Sequence, residues 1–179
     1  FEEKKSKFIA YLMPHHLFDV IMKKVKTEHP KARHYVYAYR YLNEFEQIVE
    51  NSSDDGEPKG TSGKPSLAVM AGAEIINSAV IIVRYFGGIK LGTGGLVRAY
   101  GDSVNEVIKI AEFKEYQKLI TKILVCDYAE LSQLEYLLNQ ENINIKSKEF
   151  STQINLLIEL TSEQFEVLKT KLLRNILVL

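Results

Sequence analysis

All ten glycines of this 179-residue chain fall between Gly56 and Gly101, and none follows to the end. Glycine is placed where backbone turns tightly or approaches something closely. The distribution therefore divides the chain into a middle where contact or chemistry is concentrated and flanks that read as scaffold. Charge follows the same division. Residues 41–58 hold Glu44, Glu46, Glu50, Asp54, Asp55 and Glu57 and no Lys or Arg. Residues 59–101 hold Lys59, Lys64, Arg84, Lys90 and Arg98 against Glu74 alone. Over the whole chain these asymmetries cancel, with 23 basic and 23 acidic residues. No global field points to nucleic acid or an anionic membrane.

Hydrophobic residues make up 46% and charged residues 26%, the balance of an ordinary folded chain, which excludes a disordered or collagen-like protein. The single cysteine, Cys126, excludes an internal disulfide and a cysteine-rich zinc site. The longest aliphatic run, 79–83, is far short of a membrane span of about 20 residues. The charged opening Phe1–Lys5 has no apolar stretch behind it and does not resemble a signal peptide. The expectation is a soluble, cytoplasmic protein with no membrane contact.

Periodicity predicts a strand over 7–13 and a helix opened by Pro14 with Leu17, Phe18, Ile21, Met22 and Val25 on one face. A strand over 33–41 follows, with Tyr35, Tyr37, Tyr39 and Tyr41 on one side and His34, Val36, Ala38 and Arg40 on the other. The tyrosine row reads either as a stacking platform for single-stranded bases or as an aromatic ladder covered by a partner element. A short strand near 47–51, a short helix from Pro65 and a doubly buried strand over 78–86 come next. A glycine loop over 87–95 then leads into a long helix whose buried side is Leu96, Val97, Tyr100, Val104, Val107, Ile108 and Ala111. From 116 the order is strand, helix, strand, strand, helix, strand. Asp127 with Glu130, and Thr161 with Gln164, are the helix-opening pairs. That order is ferredoxin-like βαββαβ. The reading is α+β with two domains, 1–115 and 116–179.

Two segments invite a chemical reading. Asp54, Asp55 and Glu57 lie within one turn and are weak candidates for a hard cation, although the calcium-loop order is absent and such residues also build ordinary turns. Residues 60–65 lack the required positions of a phosphate loop, with Pro58 and Pro65 where Gly and Ser/Thr belong. Residues 84–100 are sharper. Arg84, Gly87, Gly88, Lys90, Gly92, Gly94, Gly95 and Arg98 combine free backbone N–H groups, a helix start and three cations, a place that favours phosphate. The bland alternative is close packing of the loop on the sheet, with Arg98 paired to an acid of 41–58. His34, Arg40, Asp54, Asp55, Glu57, Lys59 and Thr61 are expected to wall the same site, and the segments 52–65 and 84–101 to be adjacent. No nucleophile–base pair or cofactor motif stands out, so no catalytic residue, metal or cofactor is expected.

Three stretches together resemble the YigZ/IMPACT family: Ala32-Arg33-His34 through Ala38-Tyr39-Arg40; residues 53–65; and Val83-Arg84-Tyr85-Phe86-Gly87-Gly88-Ile89-Lys90-Leu91-Gly92 through Arg98-Ala99-Tyr100-Gly101. The resemblance implies an N-terminal domain like the second domain of ribosomal protein S-five and domain IV of elongation factor G. It implies a ferredoxin-like C-terminal domain similar to domain V of that factor. It also implies suspected contact with RNA or the ribosome, and the leading reading is a non-enzymatic module that modulates translation. Residues 116–179 offer only Phe150 on their middle strands and scatter Lys118, Lys122, Lys146 and Lys148, so that domain is expected not to read bases and to act as a spacer or protein-contact domain. The alternative is an enzyme or sensor binding a small phosphorylated ligand or nucleotide at the glycine loop.

Overall fold

The computed structural model describes residues 1–173 and 175–179. Two compact units divide at Glu112/Phe113. In the first, strands β1 (Glu2–Glu3), β2 (Ser6–Pro14), β3 (His34–Leu42), β4 (Ile48–Ser53) and β5 (Ser78–Tyr85) form one antiparallel sheet in the order β1-β2-β5-β3-β4. The aliphatic run 79–83 thus becomes the central strand β5, and Ala79 to Val83 are fully buried. Its two faces feed two different cores. Val80 and Ile82 join Phe8, Val36 and Ala38 beneath helices α2 (Gly63–Gly72) and α3 (Gly92–Lys109). Ala79, Ile81 and Val83 face the other way, toward helix α1 (Phe18–Glu28).

The tyrosine row of β3 belongs to that second face. Phe18 lies 5.0 Å from the ring of Tyr37 and 5.5 Å from that of Tyr39, and the Tyr35 hydroxyl donates to the His29 carbonyl at 2.6 Å. His15 stacks on Tyr41 at 4.0 Å. Of the two readings of the row, the structure supports the covered ladder: α1 and its flanks occupy the faces that bases would need.

Pro14 closes β2, and a short 3-10 turn, His15–Leu17, intervenes before α1. Helix α3 starts at Gly92, inside the glycine run, so only 86–91 is loop. Its buried side is Leu96, Ala99, Tyr100, Ser103 and Val104; Val97 is 40% exposed and Ala111 lies past the helix end. Val97 is one step round from the buried stripe, and small Ala99 and Ser103 occupy the positions that face the sheet.

The second unit contains β6 (Leu119–Cys126), α4 (Leu131–Gln140), β7 (Asn144–Phe150), β8 (Ile154–Thr161), α5 (Ser162–Lys171) and β9 (Leu177–Val178). Its antiparallel sheet runs β7-β8-β6-β9. Alternation along β8 puts Ile154, Leu156, Ile158 and Leu160 on one fully buried face, packed with Leu134 and Leu138 of α4 and Leu168 of α5. The Thr161–Gln164 capping box forms, each side chain bonding the other's backbone N–H. The Asp127–Glu130 pair is half of one. Glu130 accepts from the Asp127 N–H, but α4 begins only at Leu131.

Candidate functional site

Antiparallel register places Phe8, Arg84 and His34 directly across from one another on β2, β5 and β3. Residues paired in this way share a face, here the one carrying α2 and α3. Above this row the 54–63 segment folds down. Glu57 Oε1 accepts from Arg84 Nη1 at 2.5 Å and from the Tyr100 hydroxyl of α3 at 2.8 Å. The Arg84 guanidinium sits 5.6 Å from the rings of both Phe8 and Phe86. Burial and the adjoining Glu57 carboxylate together push the Tyr100 hydroxyl pKa far up, so it stays a proton donor. The acidic and basic segments therefore meet, as expected, but through a buried triad. Arg84 is 6% exposed and occupied by Glu57.

Asp54 has an equally internal task. Its carboxylate accepts from the N–H groups of Gly60 at 2.7 Å, Ser62 at 3.1 Å and Gly63 at 2.9 Å, and from the Ser62 hydroxyl at 2.7 Å. Burial alone would raise its pKa, but these donors outweigh it and hold the carboxyl below its ordinary value. The anion at the start of α2 is thus the chain's own Asp54, which fills the nest that a phosphate would need. Asp55 accepts from the Tyr35 N–H at 2.6 Å, and its carbonyl accepts from His34 Nδ1 at 2.8 Å. That contact puts the His34 proton on Nδ1. Among the described residues no group of three His, Cys, Asp or Glu side chains has metal-binding geometry. The carboxylates of 54–57 are spent on the protein.

Thr61 is buried, its hydroxyl donating to the Pro58 carbonyl at 2.7 Å, and Lys59 is exposed. Arg40 is not brought to this place. It lies six residues along β3 from His34, a separation of about 20 Å at the rise of a strand. There it pairs with Glu50 at 2.6 Å and donates to the Ile75 carbonyl at 2.9 Å.

The start of α3 is built differently. No side chain caps it and no acid stands in its first turn. Gly88 and Gly92 adopt φ of +86° and +71°, and a Cβ at Gly88, Gly92 or Gly94 would meet nothing within 4 Å. Gly87 is the opposite case: a Cβ there would lie 2.0 Å from the Lys5 carbonyl carbon, and its N–H donates to the Ser6 hydroxyl. Gly95 is snug, with Leu91 Cβ 3.1 Å away. Lys90 and Arg98 are exposed, and neither has an ion pair or hydrogen bond among the described residues. Arg98 shares a small cleft with Lys4, Leu91, Gly95, Glu3 and Asp102. Two cations missed in the sequence thus join the loop. Lys4 and Lys5 form the tip of the β1–β2 hairpin at φ of 45° and 65°. A hairpin tip of this backbone calls for Asn or Gly, so Lys-Lys gave no turn signal.

The Impact N-terminal domain family matches residues 4–108, and a domain of unknown function, DUF1949, matches residues 124–174. An IMPACT family member of Haemophilus influenzae is 37% identical, over 96% of this chain and 86% of its own length. IMPACT family member YigZ of Escherichia coli is 36% identical, over 96% and 85%. A crystal structure of a hypothetical protein superposes with a TM-score of 0.67 at 33% identity, covering all of this chain and 90% of that one. Glycine loops, buried Arg84–Glu57–Tyr100 triad and second α+β unit all lie within these matches, and the chain belongs to the IMPACT family.

Proposed function

We propose that this protein is a non-enzymatic module that contacts RNA or the ribosome through the start of α3 and modulates translation. The supporting observation is the contrast between two helix starts. That of α2 is closed by Asp54, whereas that of α3 is uncapped, flanked by open glycines and attended by exposed Lys90 and Arg98. An uncapped helix start with neighbouring cations favours phosphate. Arg84, tied to Glu57, acts as the post beneath the loop rather than as a phosphate contact.

The fold fits this reading. We read the second unit, with sheet order β7-β8-β6-β9 and α4 and α5 packed on the buried face of β8, as a ferredoxin-like domain similar to domain V of elongation factor G. The first unit reads as similar to domain 2 of ribosomal protein S-five and to domain IV of that factor. The second unit serves as a spacer or protein-contact domain: Lys146, Lys148, Lys169 and Lys171 are each paired with a glutamate. No helix of the described residues is long and apolar enough to cross a membrane, and the proposed place of action is the cytoplasm.

The test is binding to RNA oligonucleotides and to ribosomes at low salt, in parallel with a thermal-shift screen of nucleotides and phosphorylated metabolites. Binding that weakens steeply between about 50 and 200 mM salt supports the proposal. A metabolite that raises the melting temperature while RNA and ribosomes fail to bind would move the site to the small-ligand class.

A further inference from the structure

We infer that the nucleic acid taken by this surface is single-stranded, with an unpaired base stacked on Phe86; this rests on the reading above. Phe86 follows β5 directly and is 54% exposed. Its ring is held by the Arg84 guanidinium, 5.6 Å away, which Glu57 in turn fixes in the interior. The platform is therefore rigid at its base and open at its tip. Cations stand on the segments next to it. Gly87 packs against the backbone of Lys5, so the hairpin tip Lys4–Lys5 stands beside the ring's own segment, and Lys4 shares a cleft with Arg98. Lys90 lies on the same short loop. Lys4, Lys5, Lys90 and Arg98 are all exposed and have no partner among the described residues, and Glu3 and Asp102 line the cleft without pairing to them. Lys4 and Lys5 take the positive φ of a two-residue hairpin turn. Here that backbone projects two lysines beside an exposed aromatic ring.

An exposed aromatic ring with cations on the neighbouring segments is an arrangement that binds unpaired bases, the ring stacking on a base and the cations meeting the flanking phosphates. A duplex keeps its bases in the stack and offers the ring nothing. The occupant is thus a single-stranded or looped RNA segment, recognised without reading its sequence.

The chain contains no tryptophan, so Phe86→Trp introduces one indole at the proposed contact. The full chain is titrated with a 12-nucleotide uridine oligomer and with a 12-base-pair RNA duplex, followed by anisotropy and by the fluorescence of that indole. The inference expects the single strand to quench the indole and the duplex to leave it unchanged. Phe86→Ala is expected to weaken single-strand binding about 10-fold while leaving the duplex affinity as it was. Lys4→Ala with Lys5→Ala is expected to weaken both RNAs alike. Equal binding of both RNAs with no effect of Phe86→Ala overturns this inference and leaves the broader proposal standing. Binding of neither RNA overturns this inference, and failure of ribosomes to bind as well overturns both.

Discussion

Arg84 Nη1 lies 2.5 Å from Glu57 Oε1, with only 7% and 4% of the two side chains exposed. A pair this deep has surrendered its hydration, so removing one partner strands the other charge. Arg84→Met is expected to lower stability by about 3–5 kcal/mol. Glu57→Gln is expected to destabilise as well, while keeping an acceptor for the Tyr100 hydroxyl. The double variant is expected to be less destabilised than the sum of the two. Urea denaturation of the four proteins gives the coupling; strict additivity would mean that the charges do not depend on one another.

Asp54 links stability to pH. Its folded pKa lies below its ordinary value, so near pH 4 and below the unfolded chain binds more protons than the folded one. Its contribution is present above the ordinary carboxylate range and is lost as pH falls through the folded pKa. Asp54→Asn is expected to cost about 2 kcal/mol at pH 7, because four donors lose a charged acceptor. The gap to the wild type is expected to narrow as pH drops below about 4. Denaturation midpoints at pH 7 and pH 3 measure this; an unchanged gap would place Asp54's role outside its ionisation.

Two glycines separate packing from function. Gly87→Ala sets a Cβ 2.0 Å from the Lys5 carbonyl carbon and is expected to cost at least about 3 kcal/mol or to shift the hairpin. Gly94→Ala meets nothing within 4 Å inside a helix, so it is expected to stabilise by roughly 0.5–1 kcal/mol. If phosphate approaches the start of α3, that more stable variant binds RNA more weakly. Melting temperature and RNA affinity then move in opposite directions.

What the sequence made legible was mainly the result of strong periodicity. The run 79–83 reads as a strand buried on both faces, and the alternation over 154–160 as a half-buried one, and both are so. The capping box at Thr161 is local chemistry and needs no tertiary context. The two faces of β3 were likewise readable, but which face α1 covers was decided by Phe18 and His29, which meet the tyrosines from a separate stretch of chain. The start of α3 was harder. Gly92, Gly94 and Gly95 are poor helix formers, and packing of Leu96 and Ala99 carries them into the helix. Least legible was which cations are internal. Arg84 and Arg40 are buried on strands with Glu57 and Glu50 folded against them, whereas Lys90 and Arg98 are exposed, and nothing local in the sequence separates the two kinds.

The second unit supplies its own control. Tyr128 and Phe150 are 57% and 60% exposed, with ring centroids 6.4 Å apart, the one aromatic pair given by its strands and loops among the described residues. If bases are met only in the first unit, Tyr128→Ser with Phe150→Ser leaves RNA affinity within about two-fold of the wild type. A ten-fold loss in filter binding would assign base contact to the second unit.

The central claim is that exposed cations around the α3 start meet phosphates, and the slope of log K against log salt measures it most directly. Each phosphate contact with single-stranded RNA contributes about 0.7 to that slope. Lys90→Ala with Arg98→Ala, both solvent-exposed changes, is expected to keep the fold and reduce the slope by about 1.4. A slope unchanged in the double variant, or no binding by the wild type at about 50 mM salt, would contradict the account.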